Sequence, residues 1–252
     1  VESNAIADVC LDAVDNFLTE RSLALAYLLQ NAREPDDRRF LIDERRQLAD
    51  GSMGRLLERV FRGDRGSGEQ RAEAVRAAWN QVRDYRPMLD QWLSDKRPGA
   101  VVPDRWESVS NALVGRLIDL AHVQTILHAE GEAEFERVSR LRYYSLVLRN
   151  LLSAESGVIA TNFVVGERVR AGDKALLEMS RALSYATWNG VEQSIDQVDN
   201  ARARELFSRI RRDFLDPLMI RKQEILRGVS STGPLPSHDA AMRDYAWLAL
   251  KA

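Results

Sequence analysis

One cysteine, three histidines and no long apolar run set the first limits on this chain of 252 residues. Cys10 alone cannot form an internal disulfide, so a disulfide-stapled secreted scaffold is excluded, while cytosol and periplasm both stay open. His122, His128 and His238 lie apart, and no Glu-x-x-His pair or Cys/His cluster has the spacing of metal ligands. The most apolar stretches, such as 157–165, fall far short of the roughly 20 residues that cross a bilayer, so no membrane helix is expected within the chain. Charge of one sign is lacking too. The 36 Lys and Arg nearly cancel the 38 Asp and Glu, leaving a net charge of −2 and no basic footprint for nucleic acid. Alternation with a period of two, the mark of a half-buried strand, is almost absent. Without strands there is no strand-borne phosphate loop, so Gly63 to Gly68 reads as a turn. No cofactor, no metal and no enzymatic chemistry are expected.

What the chain does have is 45% hydrophobic content arranged in long helical periods punctuated by Gly and Pro. The expected class is all-α. Helices are predicted over about 2–31, 37–62, 69–95, 104–129, 132–169, 173–199 and 200–227, with a last one from Ser237 or Asp239 carrying Tyr245, Trp247 and Leu248. Pro87 and Pro217 predict kinks, because proline removes a backbone donor and crowds the preceding turn. Helices of about 28 residues are rods of about 42 Å.

The pattern repeats. Ile42, Arg46, Ala49, Met53, Leu56 and Val60 return as Leu177, Arg181, Ser184, Trp188, Val191 and Ile195, each at an offset of 135 residues. The expected organisation is two tandem or stacked four-helix bundles of long antiparallel helices, over 1–130 and 131–252. The final helix ends within its pattern at Ala252, so a longer parent protein, continuing into a transmembrane helix, is expected.

Charged residues interrupt the apolar stripes. Cys10, Val14, Phe17, Arg21, Ala24 and Leu28 follow the 4-3-4-3-4 spacing of one helix face, so Arg21 stands inside an apolar stripe, as Arg46 does in the next helix. Both lie about 12 residues from the intervening turn, which puts them at one level in an antiparallel hairpin. Two guanidiniums at one depth need an anion between them, or a carboxylate such as Glu20, Glu44 or one from the third or fourth helix. Their planar donor forks suit nitrate, carboxylate or phosphate. In the second half, Leu141, Ser145, Leu148, Leu152, Glu155, Ile159 and Asn162 keep the same rhythm. Glu155 and Arg181 fall at matching depth, where an internal ion pair is the simplest account and a bound polar ligand such as an amino acid the alternative.

Thr19-Glu20-Arg21-Ser22-Leu23, followed by Arg46-Gln47-Leu48-Ala49-Asp50, resembles the Glu-Arg-Gly and Arg-x-x-Thr-Asp patterns of nitrate- and nitrite-sensing (NIT-like) domains. Leu148 to Arg170, with Ala154-Glu155-Ser156, resembles the second-half segment of related helical sensor domains in bacterial chemoreceptors, histidine kinases and diguanylate cyclases. Ser22 stands where that family has glycine, and Ala49 where it has threonine. The resemblance implies a double four-helix bundle in the periplasm between two transmembrane helices, forming a homodimer. It also implies that Arg21 and Arg46, beside Glu20, face a small anion such as nitrate, nitrite or a small carboxylate. The competing expectation is a ligand-free interaction or dimerisation module, marked by exposed apolar surface and a seam whose charges pair among themselves.

Overall fold

The apolar stripes read from the sequence become the inner faces of helices. The computed structural model describes residues 2–29, 37–62, 69–94, 104–126, 133–165, 171–197, 200–220 and 223. Among them every regular element is helical: α1 (Glu2–Leu29), α2 (Asp37–Arg62), α3 (Glu69–Ser94), α4 (Asp104–Ile126), α5 (Ala133–Val165), α6 (Ala171–Asp196) and α7 (Ala201–Ile210). The all-α fold expected from the periodicity is therefore observed. The last expected helix, from Ser237 or Asp239 onward, lies outside the described residues, as do the side chains of Ser156 and Asn162.

The chain divides into two compact units, Val1–Leu146 and Val147–Ala252. The division falls inside α5, where the sequence repeat had suggested a boundary at 130/131. The reason is local packing in the first unit. Tyr143 of α5 lies 4.3 Å from the His122 ring of α4, and Arg142 pairs with Asp8 of α1 at 2.9 Å.

In the first unit α1 packs against both α2 and α4, α3 packs against α4, and α2 and α3 touch each other less. Because α1 meets neighbours on two sides, its buried arc is broad: Ile6, Ala7, Cys10, Ala13, Val14, Phe17, Leu18, Glu20, Arg21 and Ala24 are all buried. An aromatic knot fills the centre. Phe17 meets Trp79 and Trp106 edge-on, at 6.3 and 6.2 Å between ring centroids, and Tyr85 stacks on Trp106 at 6.0 Å. Such pairs add about 0.5–1.5 kcal/mol each beyond the burial of their area. α3 runs unbroken through Pro87, whose ring faces solvent.

In the second unit the buried positions of α6 are Leu177, Ser180, Ser184, Thr187, Val191, Ser194 and Ile195. Trp188 stacks on Phe207 of α7 at 4.9 Å. Asn200 caps α7, its Oδ1 accepting the Ala203 N–H at 3.0 Å and so satisfying one of the orphan donors of the first turn. The helix then widens into a π turn over Arg211–Leu215, where the Asp216 N–H donates to the Arg211 carbonyl, before helix resumes over 216–220. Pro217 explains the widening. Its ring would crowd the carbonyl four residues earlier, and an extra residue in the turn removes that clash.

Candidate functional site

Helical spacing brings three charged side chains to one level of the first unit. Glu20 on α1 is completely buried (0% exposed) and faces Arg86 of α3 and Arg46 of α2. Arg86 grips it bidentately, Nε donating to Oε1 at 2.9 Å and Nη2 to Oε2 at 2.7 Å. Arg46 adds a third donor, Nε to Oε1 at 3.2 Å. Each guanidinium then reaches outward to a second carboxylate: Arg86 Nη1 donates to Asp50 at 2.6 Å, and Arg46 Nη1 to Asp90 at 2.7 Å. Planar donor forks make this double engagement possible. Arg86 also lies 4.8 Å from the centroid of the Trp79 ring, which fixes its plane against the aromatic knot.

The α2–α3 side is thus joined largely by polar rungs. Towards one end Arg39 Nη1 donates to Ser94 Oγ at 2.9 Å, and towards the other the Arg76 guanidinium sits 5.2 Å from the Phe61 ring centroid. Between α1 and α2, Asn16 Nδ2 donates to Ser52 Oγ at 2.9 Å, and Ser52 returns its own proton to the Leu48 carbonyl.

Electrostatics follow burial. Loss of water raises the Glu20 carboxyl above the ordinary carboxylate value, while the hydrogen bonds and charges of Arg86 and Arg46 pull it back. Burial also works against the charge of Arg86, but Glu20 and Asp50 outweigh it and hold the guanidinium above its ordinary value. Glu20, Asp50 and Asp90 carry three negative charges against the two positive charges of Arg46 and Arg86, and the exposed Asp43, 3.7 Å from Arg46 Nη1, adds a fourth at the rim, so carboxylates outnumber guanidiniums by two. Within it the Nη2 of Arg46 is buried and has no hydrogen-bond partner among the described residues.

The residues expected from the sequence are therefore distributed as follows. Glu20 and Arg46 meet directly. Arg21 turns the other way, towards α4, where Nη1 donates to Asn111 Oδ1 at 2.8 Å and the Glu107 charge lies near. Burial pushes the Arg21 guanidinium down to about 10, Glu107 opposing. The hairpin geometry that set Arg21 and Arg46 at one level holds along the helix axis but not around it, since Glu20 and Arg21 are about 100° apart on α1. In the second unit Glu155 is buried, whereas Arg181 is exposed and lies 5.8 Å from the Tyr185 ring centroid, so Arg181 is not part of a buried seam.

Arg86 and Asp90 were not singled out from the sequence, and Asp50 entered only as the last residue of the motif that begins at Arg46. The signal for Arg86 was present. Ala72, Val75, Trp79, Val82, Arg86, Leu89 and Leu93 keep a 3-4-3-4-3-4 spacing, so this arginine interrupts an apolar stripe just as Arg21 and Arg46 do.

Elsewhere in the first unit a cavity of about 10 Å³ is lined by Ala7, Ala121, His122, Ser139 and Tyr143, room for one water at most. Among the described residues no group of three or more His, Cys, Asp or Glu side chains is placed to hold a metal ion. No helix among them is long and apolar enough to cross a membrane. Comparison of the chain with protein families, with curated proteins and with solved structures yields no match.

Proposed function

We propose that this chain is the ligand-sensing part of a bacterial transmembrane signalling receptor, held outside the cytoplasmic membrane, and that it binds a small anion such as nitrate, nitrite or a small carboxylate. The observation that carries the reading is the convergence of Arg46 and Arg86 on the single buried carboxylate of Glu20, with one buried donor of Arg46 unengaged. Two guanidiniums at a helix seam form an anion-recognition element, and Glu20 holds it organised when no ligand is present. The α2–α3 side, joined by polar rungs, is the side on which ligand binding changes helix spacing. A displacement of one or two ångströms between such rods is sufficient for signalling, and the ligand drives it only through its differential affinity for the two arrangements. The resemblance of residues 19–23 and 46–50 to NIT-like motifs favours the same reading through Glu20 and Arg46, although Arg21 faces α4, and it implies a homodimer anchored by flanking transmembrane helices.

A thermal-shift screen against nitrate, nitrite, small carboxylates and amino acids tests it, repeated with Arg46→Ala and Arg86→Ala. A ligand at about 100 times its Kd adds about 2.7 kcal/mol of stability. Stabilisation by one anion, lost in both variants, supports the sensor. No shift from any compound overturns it.

A second reading rests on the pairing itself. The seam charges are met by the chain's own Glu20, Asp50 and Asp90, and Phe40, Leu41 and Leu48 of α2 lie exposed. These features favour a ligand-free interaction or dimerisation module that senses a partner protein. Sedimentation of the parent and of Leu41→Lys/Leu48→Lys separates the two readings: loss of self-association or partner capture without any anion response favours the module.

A further inference from the structure

The excess of carboxylates around Arg46 and Arg86 sets a condition on any anion that binds there. The cluster already holds more carboxylates than guanidiniums, so a further anion adds like charge unless a resident carboxylate leaves. The three carboxylates that accept hydrogen bonds from the two guanidiniums differ in how readily they leave, and Asp43, at 3.7 Å from Arg46 Nη1, accepts none. Glu20 is 0% exposed and held by three donors, so its release would strand two buried guanidiniums. Asp50 is 51% exposed, but Arg86 without it still keeps its bidentate grip on Glu20, so no donor pair is opened. Asp90 is 32% exposed and holds Arg46 by Nη1 alone, next to the unengaged Nη2 of the same guanidinium. Swinging Asp90 into water leaves Nη1 with only the exposed Asp43, 3.7 Å away and beyond hydrogen-bonding distance, and so frees the Nη1/Nη2 edge, two parallel donors of the kind that a planar anion accepts in a fork.

Resting on the anion-sensing reading, we propose that Asp90 is a built-in competitor: a small planar monoanion binds the Nη1/Nη2 edge of Arg46 by displacing the Asp90 carboxylate, and Glu20 stays in place. Binding is an exchange, one anion for another, and the charge of the buried cluster does not change. Asp90 thereby sets the affinity of the site, and its departure removes one of the two direct ion pairs that tie α3 to α2 at this level, leaving Arg86–Asp50. Only a ligand small enough to sit between α2 and α3, with two coplanar acceptor oxygens, matches the freed edge.

Calorimetric titration with nitrate and with acetate at constant ionic strength, on the full chain and on Asp90→Asn and Asp50→Asn, tests the exchange. Asp50→Asn removes the same charge nearby without opening the Arg46 edge. The expected result is binding about tenfold tighter in Asp90→Asn than in the parent, with a change of less than about threefold in Asp50→Asn. Equal tightening in both variants would mean that charge alone matters, and no tightening in Asp90→Asn would mean that nothing is displaced; either overturns the competitor. Absence of binding in the parent and in every variant instead overturns the sensing reading itself. A second readout needs no variant. In carbodiimide footprinting of the unmodified chain, saturating nitrate raises labelling of Asp90 and leaves Glu20 protected and Asp50 unchanged, whereas unaltered Asp90 labelling at saturation overturns the exchange.

Discussion

Replacing Glu20 by glutamine keeps the shape of the side chain and removes its charge. The carboxylate accepts three hydrogen bonds, from Arg86 at 2.9 and 2.7 Å and from Arg46 at 3.2 Å. The glutamine carbonyl can keep part of this, but its NH2 group turns a donor towards a guanidinium donor, and two buried positive charges lose their shared counter-ion. Breaking a buried ion pair by removing one partner costs about 3–5 kcal/mol. Asp50 and Asp90 still face the two arginines, which places the expected loss at the lower end, about 3 kcal/mol. For a unit of this size that is a fall in Tm of roughly 6–12 °C. Urea unfolding followed by circular dichroism and by tryptophan fluorescence measures it, since Trp79 lies against Arg86. The double variant Glu20→Leu/Arg86→Met completes the argument. Replacing a buried pair by apolar side chains of similar volume is often neutral, so the double variant should be more stable than Glu20→Leu alone. A loss below about 1 kcal/mol for Glu20→Gln, or a double variant whose loss equals the sum of the two singles, would show that Glu20 does not hold the two guanidiniums as a coupled unit.

Other sites give independent checks. Gly54 lies on the exposed side of α2, and a Cβ built there meets no atom within 4 Å, so Gly54→Ala should raise the urea midpoint by the equivalent of about 1 kcal/mol; a decrease would show that the site is not open. Gly115→Ala on α4, half-buried but likewise with no atom within 4 Å of the added Cβ, should behave alike. Burial pushes the Cys10 thiol from 9.0 up to about 12. The folded state therefore favours the protonated thiol: this contribution is whole below the unfolded value and is lost as pH rises through the folded one, up to about 4 kcal/mol. Between pH 9 and 12 the parent should thus lose more stability than Cys10→Ala, and parallel alkaline curves would contradict it. Asn200→Ala should cost the second unit about 1 kcal/mol of helix stability by removing the cap of α7, with Asn200→Asp retaining most of it in thermal unfolding.

The fold class and nearly all of the helices were legible because heptad-like spacing over more than 20 residues leaves little alternative to an amphipathic helix. The seam position of Arg46 was legible for the same reason. Its partners were harder to read. Spacing tells how far along a helix a side chain lies, whereas the choice between Glu20 meeting α2 and α3 and Arg21 meeting α4 depends on which neighbours flank α1 on each side. A helix between two neighbours buries a wide arc, and a single stripe does not distinguish its two edges. Arg181 shows a different difficulty. The offset of 135 residues placed it on the stripe with Trp188, but the buried face of α6 runs through Ser180, Thr187 and Ser194. Small hydroxyl residues count as polar in a binary pattern yet are small enough to bury: Ser194 bonds back one turn to the Gly190 carbonyl at 2.7 Å, whereas the hydroxyls of Ser180 and Ser184 are buried with no hydrogen-bond partner among the described residues. The α6 stripe is consequently rotated by about half a residue step, about 50°, which turns Arg181 out to solvent.

The two outer ion pairs have a consequence for how α2 and α3 can move. Arg46 faces Asp90 and Asp50 faces Arg86, in antiparallel helices whose next equivalent register lies four residues away. Slip by one turn in one direction sets Arg46 against Arg86 and leaves Asp50 opposite Val82. Slip in the other sets Asp50 against Asp90 and leaves Arg46 opposite Ser94. Each alternative exchanges two attractions for one repulsion and one indifferent contact. The pattern of signs thus acts as a key that fits one register and opposes a slip of a full turn in either direction.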